Sequence, residues 1–132
     1  MWRTVLALFY GAAGVIHLDT PAPFLAVIPG WVPWPEQVVF LTGIAELAGA
    51  AGLVQWFSPM LRRAAAIGLA LYAVCVFPAN INHMLIDMAL AEPVAGWGYH
   101  IPRMVLQPVV IWLALWAGEV TDWPFRRAKS QR

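Results

Sequence analysis

Long apolar stretches with almost no charged side chains are the feature that most constrains how this chain folds. From Val38 to Phe57 there is one charged residue, Glu46, and similar stretches precede and follow. A helix that crosses a bilayer needs roughly 17 to 25 mostly apolar residues. A soluble domain needs polar side chains to cover its surface, and a disordered chain needs high charge, but charged residues make up 11% of these 132 residues. The sequence therefore predicts a polytopic membrane protein.

Four stretches are expected to form membrane-spanning helices. They cover about Thr4 to Leu18, Val38 to Phe57, the residues after Arg63 to about Leu90, and Met104 to about Gly118. The predicted fold class is all-α, a membrane four-helix bundle formed by residues 1–118 as one domain, with a basic cytoplasmic C-terminal tail at 119–132. The first stretch is short and follows a basic start, so a cleavable signal peptide remains an alternative.

Lysine and arginine are divided unequally between the two faces of such a bundle. With four spans, the N-terminus, the second loop and the C-terminal tail lie on one side, and Arg103 lies alone on the other. The first side carries the remaining basic residues: Arg3, Arg62, Arg63, Arg126, Arg127, Lys129 and Arg132. Because cytoplasmic loops are enriched in basic residues, both termini are predicted to be cytoplasmic in a bacterial inner membrane.

The first loop, Asp19 to Gln37, combines five prolines with several large apolar side chains. Proline opposes regular helix, and the apolar side chains should avoid water. We expect this segment to lie on the outer surface of the bundle, either as a lid or as a static plug. Below it, small residues at helical spacing such as Gly14, Gly43 and Gly49 predict close helix packing.

Five polar side chains lie where lipid or packed helices are expected: His17, Glu46, Asn80, Arg103 and Gln107. Depths calculated at about 1.5 Å per helical residue place one such group from each span in the outer half of the bundle. Polar groups inside spans are costly and suggest function. The sequence therefore predicts one ligand-binding pocket, in which Glu46 pairs with His17 and Arg103. Glu46 and His17 are the candidate proton-exchange groups, and a purely structural helix clip is the alternative.

The other polar positions indicate less specific roles. His83 and Asp87 are four residues apart on one helix face, but a firm metal site needs further ligands, so no metal is predicted. Pro78 should leave the Val74 carbonyl without its helical donor, which Asn80 or water is expected to replace. Cys75 is expected to be a small buried apolar residue.

No catalytic motif or redox centre is recognisable in the chain. A glycine-rich phosphate loop, a nucleophile elbow and a His-Glu-x-x-His motif are all missing from the sequence. The basic residues do not alternate with aromatic ones as in a nucleic-acid-binding face, so no nucleic-acid partner is predicted. The lipid bilayer is the partner that the composition requires, and a homo-oligomer is left open.

The order and spacing of several short segments resemble the DoxX-like family. They include Gly14-Val-Ile-His17, Thr42-Gly-Ile-Ala-Glu46-Leu, Phe77-Pro-Ala-Asn80-Ile and the stretch from Arg103 to Gln107. The resemblance implies a small four-helix membrane protein. The founding relative is a subunit of a thiosulfate:quinone oxidoreductase, and other relatives are described as partners of oxidoreductases. The positions that match the family are His17, Glu46, Pro78, Asn80, Arg103 and Gln107.

Three functions fit these observations. The first is an accessory or small-molecule-binding subunit of a membrane redox system, with a quinone headgroup or a small anion in the outer pocket and a membrane or peripheral oxidoreductase as partner. The second is a non-enzymatic interaction or assembly protein, either chaperone-like or anchoring. The third is a transporter or proton pathway, which would need a polar route to both faces.

Overall fold

The described part of the chain folds into helices only. In this computed structural model, residues 1–124 are described, and they form five α-helices and no strand. The helices are α1 (Trp2–Asp19), α2 (Ala22–Leu25), α3 (Pro35–Val54), α4 (Pro59–Met88) and α5 (Trp97–Ala117). The predicted all-α class is confirmed, and each predicted span corresponds to one long helix.

All four long helices begin earlier than predicted, and α4 and α5 differ most from the expected starts. α4 begins at Pro59 because proline suits the first turn and the Ser58 hydroxyl accepts a hydrogen bond from the Leu61 amide. α5 begins at Trp97, directly after Gly96. Gly96 has a φ of 66°, a conformation that glycine adopts easily and that does not continue a right-handed helix. Hydropathy alone places these starts too late, since both helices open with turns that include polar residues.

Three of the described helices, not four, are long and apolar enough to cross a membrane. They are α3 with 20 residues, α4 with 30 and α5 with 21. α1 has 18 residues but carries Arg3, His17 and Asp19 near its ends, which lower its mean hydropathy. The expectation of four equivalent spans is therefore supported for three helices only.

Each long helix packs against the next one along the chain, which places α4 between α3 and α5. Small residues allow the close contacts, as predicted. A Cβ atom at Gly14 would lie 2.8 Å from the Gly43 carbonyl oxygen, and one at Gly49 would lie 2.4 Å from the Leu69 side chain. Only glycine fits such positions, so these residues set the α1–α3 and α3–α4 distances.

The N-terminus, the start of α4 and the end of α5 lie together, and we call this the terminal end. Met1 and Arg3 line the same small cavity as Glu119, and Arg62 Nη2 lies 2.8 Å from Glu119 Oε2. The grouping expected from an even number of spans is therefore present. The four tail residues of the charge argument, Arg126, Arg127, Lys129 and Arg132, lie outside the described residues.

The surface of the bundle is rich in large apolar side chains, as lipid contact requires. Leu8, Leu71 and Val105 are more than half exposed, whereas the core consists of small or medium side chains such as Leu53 and Ala66. The prediction that Cys75 is buried is wrong, because its side chain is exposed. Cys75 lies on a face of α4 that the other helices of residues 1–124 leave exposed.

Candidate functional site

The five predicted site residues form two separate clusters instead of one. His17 and Glu46 lie together with Tyr72, and we call these three residues the carboxylate cluster. The other three predicted residues lie together with His83. This second group, the arginine cluster, consists of Asn80, His83, Arg103 and Gln107.

The carboxylate cluster joins three helices around one buried acid. Glu46 is 3% exposed, and its Oε1 accepts a hydrogen bond of 2.6 Å from the Tyr72 hydroxyl. Its Oε2 lies 2.8 Å from Nδ1 of His17, which also lies 3.0 Å from the Ala13 carbonyl oxygen. Because a backbone carbonyl oxygen only accepts hydrogen bonds, the contact with Ala13 places the hydrogen on Nδ1. The predicted Glu46–His17 contact is confirmed.

Aromatic rings surround the carboxylate cluster. The Tyr10 ring lies edge-on to Tyr72 with centroids 6.3 Å apart, and its buried hydroxyl has no hydrogen-bond partner among residues 1–124. On the other side, the Phe24 ring of α2 stacks on His17 at 3.7 Å. Sequence reasoning missed both tyrosines, although a tyrosine in the middle of a span signals a hydroxyl that needs a partner.

The arginine cluster connects α4 to α5 through a chain of hydrogen bonds. Gln107 Nε2 donates to the Ala73 carbonyl, and Gln107 Oε1 accepts from Asn80 Nδ2 at 3.0 Å. Arg103 donates through Nη2 to Asn80 Oδ1 and through Nη1 to His83 Nδ1, the latter at 2.7 Å. Asn80 and Gln107 thus bond across the α4–α5 contact, and His83 is an additional member of this cluster.

The expected pairing of Arg103 with Glu46 is wrong. Glu46 contacts His17 and Tyr72, and Arg103 has no carboxylate within salt-bridge distance among the described residues. The physical reason is the order of the helices, since α4 separates α3 from α5. A side chain on α5 meets α4 first, so the Arg103 guanidinium bonds to neutral groups there and lies 5.5 Å from the Tyr99 ring centroid.

Asp87 holds the connection between α4 and α5. Its carboxylate accepts hydrogen bonds from the backbone amides of Val94, Ala95 and Gly96 and lies 3.1 Å from Nε2 of His100. His100 is fully buried, and sequence reasoning did not single it out. Asp87 therefore does not act jointly with His83, and no group of three or more His, Cys, Asp or Glu side chains in residues 1–124 is placed to hold a metal ion.

Asn80 does not donate to the Val74 carbonyl near Pro78, as one of the two expected donors would. Asn80 bonds to Gln107 and Arg103, and Gln107 donates to the carbonyl of Ala73, one residue before the expected acceptor Val74. The proline inside α4 thus lies beside a backbone carbonyl that α5 reaches with a side chain. This contact fixes Gln107 and, through it, the orientation of the Asn80 amide.

The proline-rich segment covers the end of the bundle opposite the terminal end, as predicted. Asn82 Nδ2 donates to the Val27 carbonyl at 2.9 Å, and Phe24 lies on His17. The segment therefore contacts α1 and α4 at once. These contacts suit a lid and a static plug equally.

Comparison with known proteins places the chain in a family. A family model described as a domain of unknown function (DUF8561) matches residues 6–120. The chain belongs to this family. The match includes both clusters, the whole of α3, α4 and α5, and α1 from residue 6 onward in this DUF8561 protein. No curated protein and no solved structure matches the chain.

Proposed function

We propose that this protein crosses a bacterial inner membrane four times, with both termini in the cytoplasm. α1 would be the fourth span. Its 18 residues are about 27 Å long, close to the hydrocarbon thickness of about 30 Å. Its buried face, including Leu6, Tyr10 and Gly14, packs on α3, so α1 and α3 share one environment.

We propose further that it is a DoxX-like accessory subunit of a membrane redox system that binds a small oxygen-bearing ligand. The single observation that carries this proposal is the state of Arg103. The Arg103 guanidinium donates to Asn80 and His83 and lies near the Tyr99 ring, all neutral groups. Among the described residues it has no carboxylate partner. An arginine inside or beside a bilayer normally has a counter-charge, so a ligand oxygen is the natural partner for its remaining N–H groups.

The residues present fit a quinone-type carbonyl or a small anion. The Arg103 guanidinium has five N–H donors in a planar fork, and Asn80 and Gln107 hold it in place. A quinone would supply the electron-transfer chemistry when bound, since the sequence encodes no redox centre. In this proposal an oxidoreductase partner delivers the electrons.

Proton exchange is assigned to Glu46 and His17. The two clusters are neighbours along α4, because Tyr72, which donates to Glu46, directly precedes Ala73, whose carbonyl accepts from Gln107. The Glu46 carboxyl group and the His17 imidazole lie 2.8 Å apart, which is close enough for a proton to pass between them. A structural role of the same pair as a helix clip is the competing interpretation.

Quinone-linked turnover in native membranes tests this proposal. We expect Arg103→Gln to lower turnover about ten-fold, the effect of losing one charged hydrogen bond, and Glu46→Gln to lower it through lost proton exchange. Arg63→Gln is the matched control, since Arg63 is an exposed arginine at the terminal end of the bundle. Unchanged turnover in both site variants would rule out the redox role.

An interaction or assembly protein is the second candidate, supported by a groove between α3 and α4. The groove has a volume of about 580 Å³ and is lined mostly by small residues, including Ala45, Gly49, Ala65 and Gly68. A Cβ atom at Gly68 would meet nothing within 4 Å. Small residues allow another helix to approach closely in a bilayer, so a partner helix or a second copy fits there.

Co-purification separates the two functions. If the groove binds a partner helix, Gly68→Phe should abolish stoichiometric co-purification of a membrane protein or the dimer, while Leu71→Phe, on an exposed position of the same helix, should not. Redox turnover that survives Gly68→Phe would favour the ligand-binding function.

A further inference from the structure

We infer that the ligand of the arginine cluster is an oxyanion and that His83 is its second donor beside Arg103. This inference rests on the proposed ligand-binding role of the cluster and narrows it to one ligand class. It adds His83, which the sequence singled out only for its spacing from Asp87 and which the DoxX-like resemblance does not include.

Two groups set the hydrogen-bond directions in the cluster: the Ala73 carbonyl, which only accepts, and the Arg103 guanidinium, which only donates. Gln107 Nε2 donates to the Ala73 carbonyl, so Gln107 Oε1 is the atom that accepts from Asn80. The Asn80 amide is thereby oriented with Oδ1 toward Arg103. A guanidinium only donates. His83 Nδ1, 2.7 Å from Arg103 Nη1, is therefore an acceptor without a hydrogen.

This assignment leaves His83 with its hydrogen on Nε2. A neutral imidazole whose Nδ1 accepts must donate through Nε2. The His83 side chain is partly exposed, so this N–H is not sealed inside the bundle. Together with the unused N–H groups of Arg103, it makes the open part of the cluster rich in donors.

A donor-rich site with a net positive charge selects a ligand that only accepts and is itself negative. A quinone carbonyl would satisfy one or two donors but would leave the arginine charge without a counter-charge. Asp87, four residues after His83 on α4, forms no ion pair with Arg103, since its oxygens accept from three backbone amides and lie against His100. Oxyanions such as phosphate or sulfate groups bind guanidinium groups through paired hydrogen bonds.

The position of the cluster along α4 agrees with such a ligand. α4 has 30 residues and is about 45 Å long, whereas the hydrocarbon core is about 30 Å thick. If α4 enters the core near Pro59, Asn80 and His83 lie at the level of the lipid headgroups on the other side. A lipid phosphate and a free oxyanion from the water are both within reach there.

The experiment uses the full chain in nanodiscs of phosphatidylcholine, with inorganic sulfate as the probe. Calorimetry gives the dissociation constant, and ¹⁵N-histidine NMR reports on His83 Nε2. We expect sulfate to shift the His83 signal, and Arg103→Gln and His83→Phe each to weaken binding about ten-fold. His83→Gln should restore part of the affinity, because its amide can donate in place of Nε2. Arg63→Gln should bind sulfate like the unmodified chain.

A second set of nanodiscs separates the two sources of the oxyanion. If phosphatidylglycerol shifts the His83 signal and competes with sulfate, the ligand is a lipid phosphate. A sulfate-dependent shift that phosphatidylglycerol leaves unchanged indicates a free oxyanion. Both results support the inference.

Two results overturn it, and they differ in what they imply for the proposed function. If a soluble quinone analogue binds in an Arg103-dependent way, without dependence on His83 and without competition by sulfate or phosphatidylglycerol, the ligand is not an oxyanion but the redox role stands. If no probe shifts the His83 signal of the unmodified chain and none depends on Arg103, both proposals fail. The measurement on the unmodified chain keeps the test valid even where a variant does not fold.

Discussion

The Tyr72 hydroxyl donates a 2.6 Å hydrogen bond to the buried carboxyl group of Glu46. This contact ties α4 to α3 in the interior of the bundle, on the side of Glu46 opposite the His17 contact. A buried carboxyl oxygen without a donor is costly. Tyr72 is therefore part of what allows an acid to remain in an apolar bundle.

Tyr72→Phe should destabilise the protein while preserving its shape. The change removes one hydroxyl and leaves Glu46 Oε1 buried without its donor, which costs about 1–3 kcal/mol. Unfolding in mixed micelles with increasing denaturing detergent measures the loss. Tyr99→Phe is the control, since Tyr99 is exposed. Equal unfolding of the two variants would show that the Tyr72–Glu46 bond contributes nothing.

Gly14→Ala should destabilise the α1–α3 contact. The added methyl group would lie 2.8 Å from the Gly43 carbonyl oxygen and 2.9 Å from Leu47, and such overpacking costs about 1–3 kcal/mol. Gly68→Ala makes the same change on α4 where a Cβ meets nothing within 4 Å. It should be neutral or stabilising, because alanine favours helix. Thermal unfolding in detergent compares the two, and a stable Gly14→Ala variant would contradict the close packing.

Asp87→Asn should loosen the α4–α5 connection. In the unmodified chain, the backbone N–H groups of Val94, Ala95 and Gly96 donate to the two carboxylate oxygens of Asp87. The NH₂ group that replaces one of these oxygens in asparagine cannot accept a hydrogen bond. We expect cleavage of this connection by a soluble protease to become several-fold faster. Glu92→Gln, an exposed acid in the same connection, is the control. Unchanged protection in Asp87→Asn would mean that the loop is held by other contacts.

Cysteine labelling in intact cells should confirm the orientation proposed for α3. In a Cys75→Ser background, Trp31→Cys lies in the exposed proline-rich segment and should react with a membrane-impermeant maleimide. Arg63→Cys, at the terminal end, should react only after the membrane is opened. Labelling of Arg63→Cys alone in intact cells would reverse the predicted orientation, and labelling of both variants would show that α3 does not cross the membrane.

Several parts of the site were predictable because they depend on single helices. Gly43 and Gly49 flank Glu46 on one face of α3, and both lie against neighbouring helices. The same helical spacing predicted that Glu46 faces a partner instead of lipid. His17, on the same face of α1 as Gly14, reaches Glu46 as expected.

Other partners were missed because their residue types are ambiguous in a sequence. Tyr72 and Tyr10 have apolar rings that fit any span, and their hydroxyls reveal a role only when a neighbour is known. His100 lies next to a connection whose shape follows from the hydrogen bonds of Asp87 to three backbone amides. No local sequence pattern predicts such a contact.

The sequence by itself determined that this chain is helical, apolar on its surface, and interrupted by a few polar groups in its long helices. These properties follow from composition and from periodicity along one helix, which are local. Only the tertiary structure decided that the polar groups divide into two clusters and that Arg103 bonds to His83 and Asn80 instead of Glu46. The reason is that α4 lies between α3 and α5. The order and rotation of helices in a bundle depend on how all their surfaces pack, which no single stretch of sequence specifies.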